Sequence, residues 1–286
     1  MIYVLFSVLC SVTVSVILKM AKRYAIDTVQ IIVWNYPVAV WCTWFFLRPD
    51  WTNSSLLQAP ILLVSGLALL LPGVFVLLAA SIRHAGIVRT EVAQRLSLFI
   101  ALIAAFWLFN ETPHTGKLTG VVVGITGILC CIGWHRQPGE QAGSLTWLYP
   151  MLVFVGYGVI DILFKQVAQH TEVSYSLSML IVFVLAACVS FCYLAYRLFA
   201  TKSRFSFPAV WWGLILGGFN FANILFYMRA HRALPENPSI VFTGMNVGVI
   251  ALGAVVGIAV FKEKLSFTNK IGIILAVVSV LIIAYS

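Results

Sequence analysis

The sequence predicts an all-α polytopic membrane protein with ten transmembrane helices, and three observations lead to this prediction. First, 62% of the 286 residues are hydrophobic and only 9% are charged, whereas about 25% of residues in soluble domains are charged. Second, apolar runs of about 20 residues, the length that crosses a bilayer, recur along the whole chain. Third, these runs are continuous, whereas the strands of a membrane β-barrel alternate in polarity. A soluble enzyme domain is therefore excluded.

Charged residues, prolines and glycines divide the apolar runs into ten helices. The predicted helices cover residues 2–20, 28–48, 57–82, 87–109, 115–134, 146–168, 173–199, 208–230, 238–261 and 266–285. The first run lacks a basic segment before it and ends in Lys19, Lys22 and Arg23, which predicts a retained helix and not a cleaved signal peptide.

The six cysteines all lie within apolar runs, and we interpret them as small buried hydrophobic residues. No His or carboxylate accompanies them at the spacing of metal ligands. The sequence therefore predicts no disulfide, no metal and no cofactor. The net charge of +9 comes from Lys and Arg scattered between the apolar runs, so we expect these charges to orient the protein in the bilayer and not to bind nucleic acid.

The longest connection, residues 135–145, is polar and separates residues 1–134 from residues 146–286. Each part contains five predicted helices, and a motif recurs between them after 152 positions. In this match Phe109, Glu111 and Gly120 correspond to Phe261, Glu263 and Gly272; at slightly shorter offsets, residues 16–19 correspond to 162–165, and His84 to His231. Because five is odd, the second half must cross the membrane in the opposite orientation. This predicts two inverted five-helix repeats, the design of many secondary transporters.

Residues 99–132 and 248–284 share one layout: an apolar helix, a short charged turn built around Glu111 or Glu263, and a second apolar helix that contains glycine. On these features the whole chain resembles the ten-helix, EamA-like branch of the drug/metabolite transporter (DMT) superfamily. The resemblance implies two EamA-like repeats and transport of a small metabolite without ATP hydrolysis, in a bacterial inner membrane. Members of the superfamily carry amino acids, amines, nucleotide-linked sugars and other metabolites.

The distribution of basic residues bears on the orientation of the chain. If the helices alternate in direction, twelve of the eighteen Lys and Arg residues lie on the side opposite the N-terminus. The other side has five, namely Arg48, Lys117, Lys165, Arg229 and Arg232, and Arg95 lies within the fourth helix. The positive-inside rule then places both termini outside the cytoplasm. The resemblance implies cytoplasmic termini, so the orientation stays open.

The fourth predicted helix contains the densest group of polar residues within an apolar run. Glu91, Gln94 and Arg95 lie on one face of it, since residues three and four apart are neighbours on a helix. We expect this face to line a cavity in which Gln94 or Arg95 binds substrate and Glu91 takes up a proton or a cation. The alternative is a structural Glu91–Arg95 ion pair.

In the second half, Thr243 and Asn246 occupy the places that Glu91 and Gln94 have in the first. We expect them to form a neutral wall of the same cavity. The alternative is that they hydrogen-bond to neighbouring helices, which is common within membranes.

Further candidates lie on the sixth helix, where Tyr157, Asp161 and Lys165 share one face. We predict that Asp161 and Lys165 form a structural pair or a gate near the membrane interface, where a lysine can reach water. Lys19, matched to Lys165 by the repeat, is expected to act similarly.

The remaining candidates for substrate binding are polar or aromatic residues in other apolar runs. They are Trp34, just before Pro37, and Asn220, Asn223 and Tyr227 of the eighth helix. If Trp34 faces the cavity, its ring would bind a cationic group by cation–π attraction. The alternative is the common role of aromatic residues near helix ends, which form belts at the membrane interface. Glycines spaced by four, among them Gly253 and Gly257, predict closely packed helices.

The sequence therefore favours a secondary transporter that moves a small polar or amphiphilic metabolite across the bilayer by alternating access. An amino acid or amine is preferred, and coupling to protons is a hypothesis based on Glu91. An anionic metabolite such as a nucleotide sugar is the less favoured alternative, because it would be expected to meet several basic residues at mid-membrane and only Arg95 is found there. An intramembrane enzyme is disfavoured because all five histidines fall at predicted helix ends or in loops. A channel or scaffold is a third possibility, and the oligomeric state stays open.

Overall fold

The computed structural model describes residues 1–49, 60–85, 90, 93–94, 96–112, 114–131, 144–170, 173–200, 203–261 and 267–285. Within these residues all regular secondary structure is helical. The ten α-helices are α1 (Ile2–Arg23), α2 (Thr28–Cys42), α3 (Ile61–Ala85), α4 (Leu98–Trp107), α5 (Thr115–Cys131), α6 (Ser144–Gln169), α7 (Tyr175–Ala200), α8 (Phe207–Ala233), α9 (Pro238–Phe261) and α10 (Phe267–Tyr285).

Where both a predicted helix end and its neighbourhood lie in described residues, the observed ends fall within about three residues of the prediction. Asp27 begins α2, because its carboxylate accepts a hydrogen bond of 2.9 Å from the backbone N–H of Val29. The α2 helix continues as a π-helix over Thr43–Leu47 and ends at Arg48, which has the left-handed conformation with φ 41°. The first residue of α9 is Pro238, a position at which proline loses no helical hydrogen bond. Most of the predicted linker lies outside the described residues.

Seven helices in the described part of the chain are long and apolar enough to cross a membrane. They are α1, α2 with its π-helical extension, α3, α6, α7, α8 and α9. Large hydrophobic side chains cover the outside of the bundle: Trp107 is 89% exposed and Phe199 is 84% exposed. Several polar and charged side chains are instead buried, Lys165 and His231 completely. This distribution is the inverse of a soluble protein, in which lysine is almost never fully buried.

The expectation that the cysteines are buried is wrong for Cys188 and Cys192, which are exposed on α7. Both face outward with apolar neighbours such as Val184 and Leu185, which are also exposed. Their place on the outer side of α7 explains the error, because membership of an apolar run does not determine which side of a helix faces the interior. Cys42 is buried, and Cys10 and Cys130 are partly buried.

The α8 helix packs on α1 and α2. Two glycines allow the close approach to α2. A Cβ atom on Gly213 would lie 2.5 Å from the Cβ of Trp34, and one on Gly217 would lie 2.7 Å from the carbonyl oxygen of Asn35. This pair of glycines, four residues apart, is a further small-residue interface of the kind that lets helix backbones meet. A Cβ atom added to Gly253 of α9 would instead meet no atom within 4 Å, so the prediction that Gly253 is a close-packing position is wrong.

Several contacts between helices occur in matching pairs when α1–α5 are aligned with α6–α10, as the predicted repeat requires. The contact of α1 with α8 matches that of α6 with α3, and the contact of α1 with α9 matches that of α6 with α4. Three further contacts join a helix to its own counterpart: α2 with α7, α4 with α9, and α5 with α10.

We name the two ends of the bundle after residues that lie near the first and the last turn of α8. At the start of this helix the backbone N–H of Ser206 donates to Gln30, three residues after Asp27, and we call this the Asp27 end. Just after its last residue, the carbonyl of Pro235 accepts a hydrogen bond from Lys165, and we call this the Glu111 end. The 27 residues of α8 separate the two ends by about 40 Å at 1.5 Å per residue.

Candidate functional site

A buried ionic network joins the two halves of the chain at the Glu111 end. Glu111 lies in the turn after α4, directly after Asn110, which has the left-handed conformation with φ 51° that asparagine tolerates. The Glu111 carboxylate accepts hydrogen bonds from the backbone N–H and the hydroxyl of Ser239, at 2.9 and 2.5 Å. It also lies 3.3 Å from the ammonium group of Lys117. Glu111 thus caps the positive N-terminal end of α9 while neutralising a buried lysine.

Lys117 connects this network to the turn that precedes α9. Its ammonium group also donates a hydrogen bond to the side-chain oxygen of Asn237. The Glu111 network, defined as Glu111, Lys117, Asn237 and Ser239, therefore joins the α4–α5 turn of the first half to the start of α9 in the second. Both charged side chains are almost completely buried, so the network is shielded from solvent and salt.

Lys165 of α6 lies beside this network and is fully buried. Its ammonium group donates a hydrogen bond of 2.7 Å to the carbonyl of Pro235 and lies 5.6 Å from the ring centre of Phe109. The prediction that Lys165 reaches water near an interface is wrong, because the turn after α8 covers it and supplies a backbone acceptor. Asp161, its predicted partner, accepts from Tyr227, so the two side chains bind different groups.

Asp161 and Tyr227 form the centre of a polar cluster between α6 and α8. The Tyr227 hydroxyl donates a hydrogen bond of 2.8 Å to the Asp161 carboxylate. The Tyr227 ring lies edge-on to Phe164 and to His231, with ring centres 6.0 and 4.7 Å apart. Tyr157, one turn before Asp161, is partly buried. We call Tyr157, Asp161, Tyr227 and His231 the Asp161 cluster.

His231 is the residue of this cluster that sequence analysis misplaced. The prediction ended the eighth helix at residue 230, but α8 continues to Ala233, and this continuation buries His231 completely. Within the described part of the chain neither ring nitrogen has a hydrogen-bond partner, and the ring packs 4.8 Å from that of Phe242. The match of His231 with His84 in the repeat was the only sequence signal that pointed to this residue.

Buried polar atoms on other helices also have no hydrogen-bond partner among the described residues. They include the hydroxyl oxygens of Tyr36 on α2 and Thr243 on α9. Buried polar groups nearly always find a partner, in protein or in ordered water. The interior between α2, α6, α8 and α9 therefore offers hydrogen-bonding groups that the helices themselves do not use.

The predicted asparagines have partners on the helices. Asn220 donates to the side-chain oxygen of Asn35 on α2 at 3.0 Å, and Asn223 accepts from the Ser7 hydroxyl of α1 at 2.7 Å. Asn246 donates to the carbonyl of Phe242 on its own helix at 3.0 Å. Asn220 and Asn223 therefore tie α8 to both of its first-half neighbours.

The remaining predicted residues are spread over the molecule. Trp34 packs edge-on against Phe191 of α7, with ring centres 5.4 Å apart. Gln94 is partly buried, whereas Glu91 and Arg95 lie outside the described residues. Lys19 is exposed and borders a cavity between α1 and α9. No group of three potential metal-binding side chains occurs among the residues that the structure describes.

A second network joins the halves at the Asp27 end. Arg197, at the end of α7, lies 3.2 Å from the Asp27 carboxylate, and each side chain is about a quarter exposed. Gln30, which is buried, donates to the carbonyl of Arg204 and accepts from the N–H of Ser206, both at 2.8 Å. We call these residues the Asp27 network. The sequence pattern does not reveal this network, because its hydrogen-bonding groups include backbone atoms of residues 204 and 206 and an ordinary helix-capping residue, Asp27.

Comparison with known proteins identifies relatives without a stated function. No family model matches the sequence. A solved crystal structure, described only as that of a protein, has a TM-score of 0.69 and 15% identity, and the match covers 98% of this chain and 94% of the other. An uncharacterized protein from Haemophilus influenzae is 41% identical over 289 residues, which cover 98% of this chain and 97% of the relative. The chain therefore belongs to the same protein family as this uncharacterized Haemophilus influenzae protein.

Proposed function

We propose that the protein is an integral membrane secondary transporter of the DMT type, built from two inverted five-helix repeats. The apolar exterior supports a location in a membrane. Seven helices in the described residues are long and apolar enough to cross one. The matched contacts of α1 with α8 and of α6 with α3 support the repeat. In such transporters the substrate binds near mid-membrane at the interface of the repeats.

The observation that carries the proposal is the Asp161 cluster. An ionisable residue within a membrane-spanning helix normally serves a substrate, an ion or a partner. The Asp161 carboxylate accepts one hydrogen bond from a described residue, and a carboxylate has about four acceptor sites. It can therefore accept further hydrogen bonds from the ammonium group of a substrate. The rings of Tyr227 and Phe164 stand beside it and offer cation–π attraction.

These groups favour an amine or an amino acid as the substrate. An anionic metabolite such as a nucleotide sugar needs accessible cations, but Lys117 binds Glu111 and Asn237, and Lys165 binds the carbonyl of Pro235. The two buried lysines therefore serve the protein's own acceptors. We retain a bacterial inner membrane as the expected location and leave the coupling ion to experiment.

Uptake into proteoliposomes tests the proposal. Purified protein is reconstituted without ATP, and uptake of radiolabelled amines, amino acids and nucleotide sugars is measured with and without a pH gradient. We expect saturable uptake of one amine or amino acid, and its loss in Asp161→Asn. Tyr227→Phe, which removes the hydroxyl that positions Asp161, is expected to reduce uptake about tenfold, as loss of a hydrogen bond to a charged group does.

The matched control is Tyr196→Phe, because Tyr196 is 61% exposed on α7. This variant is expected to transport like the wild type. Absence of saturable uptake of every solute would contradict transport, and uptake of nucleotide sugars alone would contradict the preference for amines.

A further inference from the structure

A cavity of about 780 Å³ opens at the Glu111 end of the bundle, where α6, α7 and α8 meet. Its lining includes Gln169 from α6, Ser174 and Tyr175 at the start of α7, Arg232 from the last turn of α8, and Pro235 from the turn that follows. We call this cavity the Arg232 basin. Its volume is within the range of about 300–1,000 Å³ that small-molecule sites occupy, and the Asp161 cluster contains none of these residues.

The Arg232 basin lies where three apolar helices begin or end. Gln169 is the last residue of one candidate membrane span, Tyr175 is the first residue of the next, and Arg232 is the last residue but one of a third. In a membrane the ends of such spans lie at the level of the lipid headgroups. A ligand of the basin is therefore expected at the membrane surface and not at mid-membrane.

Arg232 is a cationic group of the basin that is positioned by an aromatic ring and not by an acid. Its side chain is exposed, and its guanidinium carbon lies 4.3 Å from the ring centre of Tyr175. Within the described part of the chain no carboxylate or other acceptor binds the guanidinium group. A guanidinium group that stacks on an aromatic ring keeps its N–H edge available for the oxygens of an anion.

Ser174 supplies a second hydrogen-bond donor to the basin. Its hydroxyl oxygen accepts from the Ser176 hydroxyl at 3.2 Å and from the backbone N–H of Leu177 at 3.4 Å. A hydroxyl has two acceptor sites and one hydrogen, so with both acceptor sites in use the hydrogen of Ser174 is left to donate. The first turn of α7 adds a positive partial charge at the same place.

The other charges near the basin also favour an anion. None of the described lining residues is acidic. The carbonyl of Pro235, an acceptor that could attract a cation, already accepts hydrogen bonds from Lys165 and Gln169, and the Lys165 ammonium group adds a positive charge beside the basin. Glu236 is exposed and lies outside the lining, and Glu172 lies outside the described residues.

We infer that the Arg232 basin binds a phosphate group, which the headgroup of an anionic phospholipid or a soluble phosphate ester supplies. The guanidinium edge of Arg232 pairs with two phosphate oxygens, and the Ser174 hydroxyl donates to a third. Basic pockets between membrane-spanning helices bind anionic lipid headgroups in this way. A zwitterionic headgroup fits less well, because the described lining has no carboxylate for its ammonium group. The inference needs a membrane location but does not depend on the proposed transport.

Lipid binding to the delipidated, detergent-purified protein tests the site. The rise in melting temperature is titrated with short-chain phosphatidylglycerol and, as the matched zwitterionic ligand, with phosphatidylcholine of the same chain length. We expect phosphatidylglycerol to bind more tightly. Arg232→Gln is expected to weaken its binding about tenfold, as loss of a hydrogen bond to a charged group does. The matched control is Arg204→Gln, which removes the same charge from an exposed arginine at the Asp27 end and should bind like the wild type.

Competition by soluble anions identifies the source of the phosphate group. Displacement of phosphatidylglycerol by glycerol phosphate would assign the basin to a soluble phosphate ester, and its failure to compete would assign the basin to the lipid; both results support a phosphate site. Equal binding of the two lipids, unchanged binding in Arg232→Gln, or an equal loss in Arg204→Gln would overturn the inference. So would competition by succinate as strong as that by glycerol phosphate, because the site would then recognise carboxylates. The assay measures no transport, so its result is independent of the uptake experiment.

Discussion

At each end of the bundle a polar network joins the two halves of the chain, and the two networks differ in how deeply they are buried. At the Glu111 end, both members of the Lys117–Glu111 ion pair are almost completely buried, and backbone and side-chain donors complete the shell of the carboxylate. At the Asp27 end, the Arg197–Asp27 pair is about a quarter exposed on each side. The difference teaches that the ion pairs in the two networks that join the halves have different energetic roles. Removal of one member of the buried pair leaves an unpaired buried charge and strongly lowers the free energy of unfolding. Removal of one member of the partly exposed pair lowers it only slightly.

The largest effect is expected from Glu111→Ala. This change leaves the Lys117 ammonium group buried beside an empty site and removes the cap of α9. Removal of one member of a buried ion pair costs about 3–5 kcal/mol. We expect a loss of this size in the free energy of unfolding, measured by denaturant titration in detergent micelles.

The double variant Glu111→Ala with Lys117→Met distinguishes pairing from mere side-chain size, because residue 111 is the same as in the single variant. It removes both charges together, so it is expected to be markedly more stable than Glu111→Ala. If the double variant were as unstable as the single one, the burial of an unpaired charge would not explain the loss.

A smaller effect is expected from Ser239→Ala at the start of α9. The change removes the hydroxyl that donates to Glu111 and leaves the backbone N–H of residue 239 in place. A hydrogen bond to a charged group contributes about 1.5–3 kcal/mol. Thermal unfolding is expected to show this loss, and Ser15→Ala is the control, because Ser15 is exposed and donates only to its own helix. Equal losses in the two variants would assign no special role to the Glu111 contact.

Hydropathy could predict the helices because charged residues, Pro or Gly bound each apolar run, and the same residues also lie at or near the helix ends. The candidate site was predictable only in part. Asp161, Lys165 and Tyr227 stand out as polar residues within apolar runs. The partner of Lys165 does not, because it is a backbone carbonyl 70 residues away. Glu111 likewise binds a backbone N–H 128 residues away. A backbone group has no sequence signature, so these contacts require the fold.

The smallest effect is expected at the Asp27 end, and it is also the one that salt should alter. Because the Asp27 and Arg197 side chains remain partly in solvent, their interaction is expected to contribute about 0.2–1 kcal/mol. A double-mutant cycle with Asp27→Asn and Arg197→Met measures this coupling and removes the effects of each residue's other contacts. Raising the ionic strength from about 0.1 to 1 M shortens the screening length from about 10 to 3 Å and should abolish it. The same cycle on Glu111 and Lys117 should keep its coupling in high salt. Loss of both couplings would mean that water reaches the Glu111 network, and the contrast between the ends would then be one of degree only.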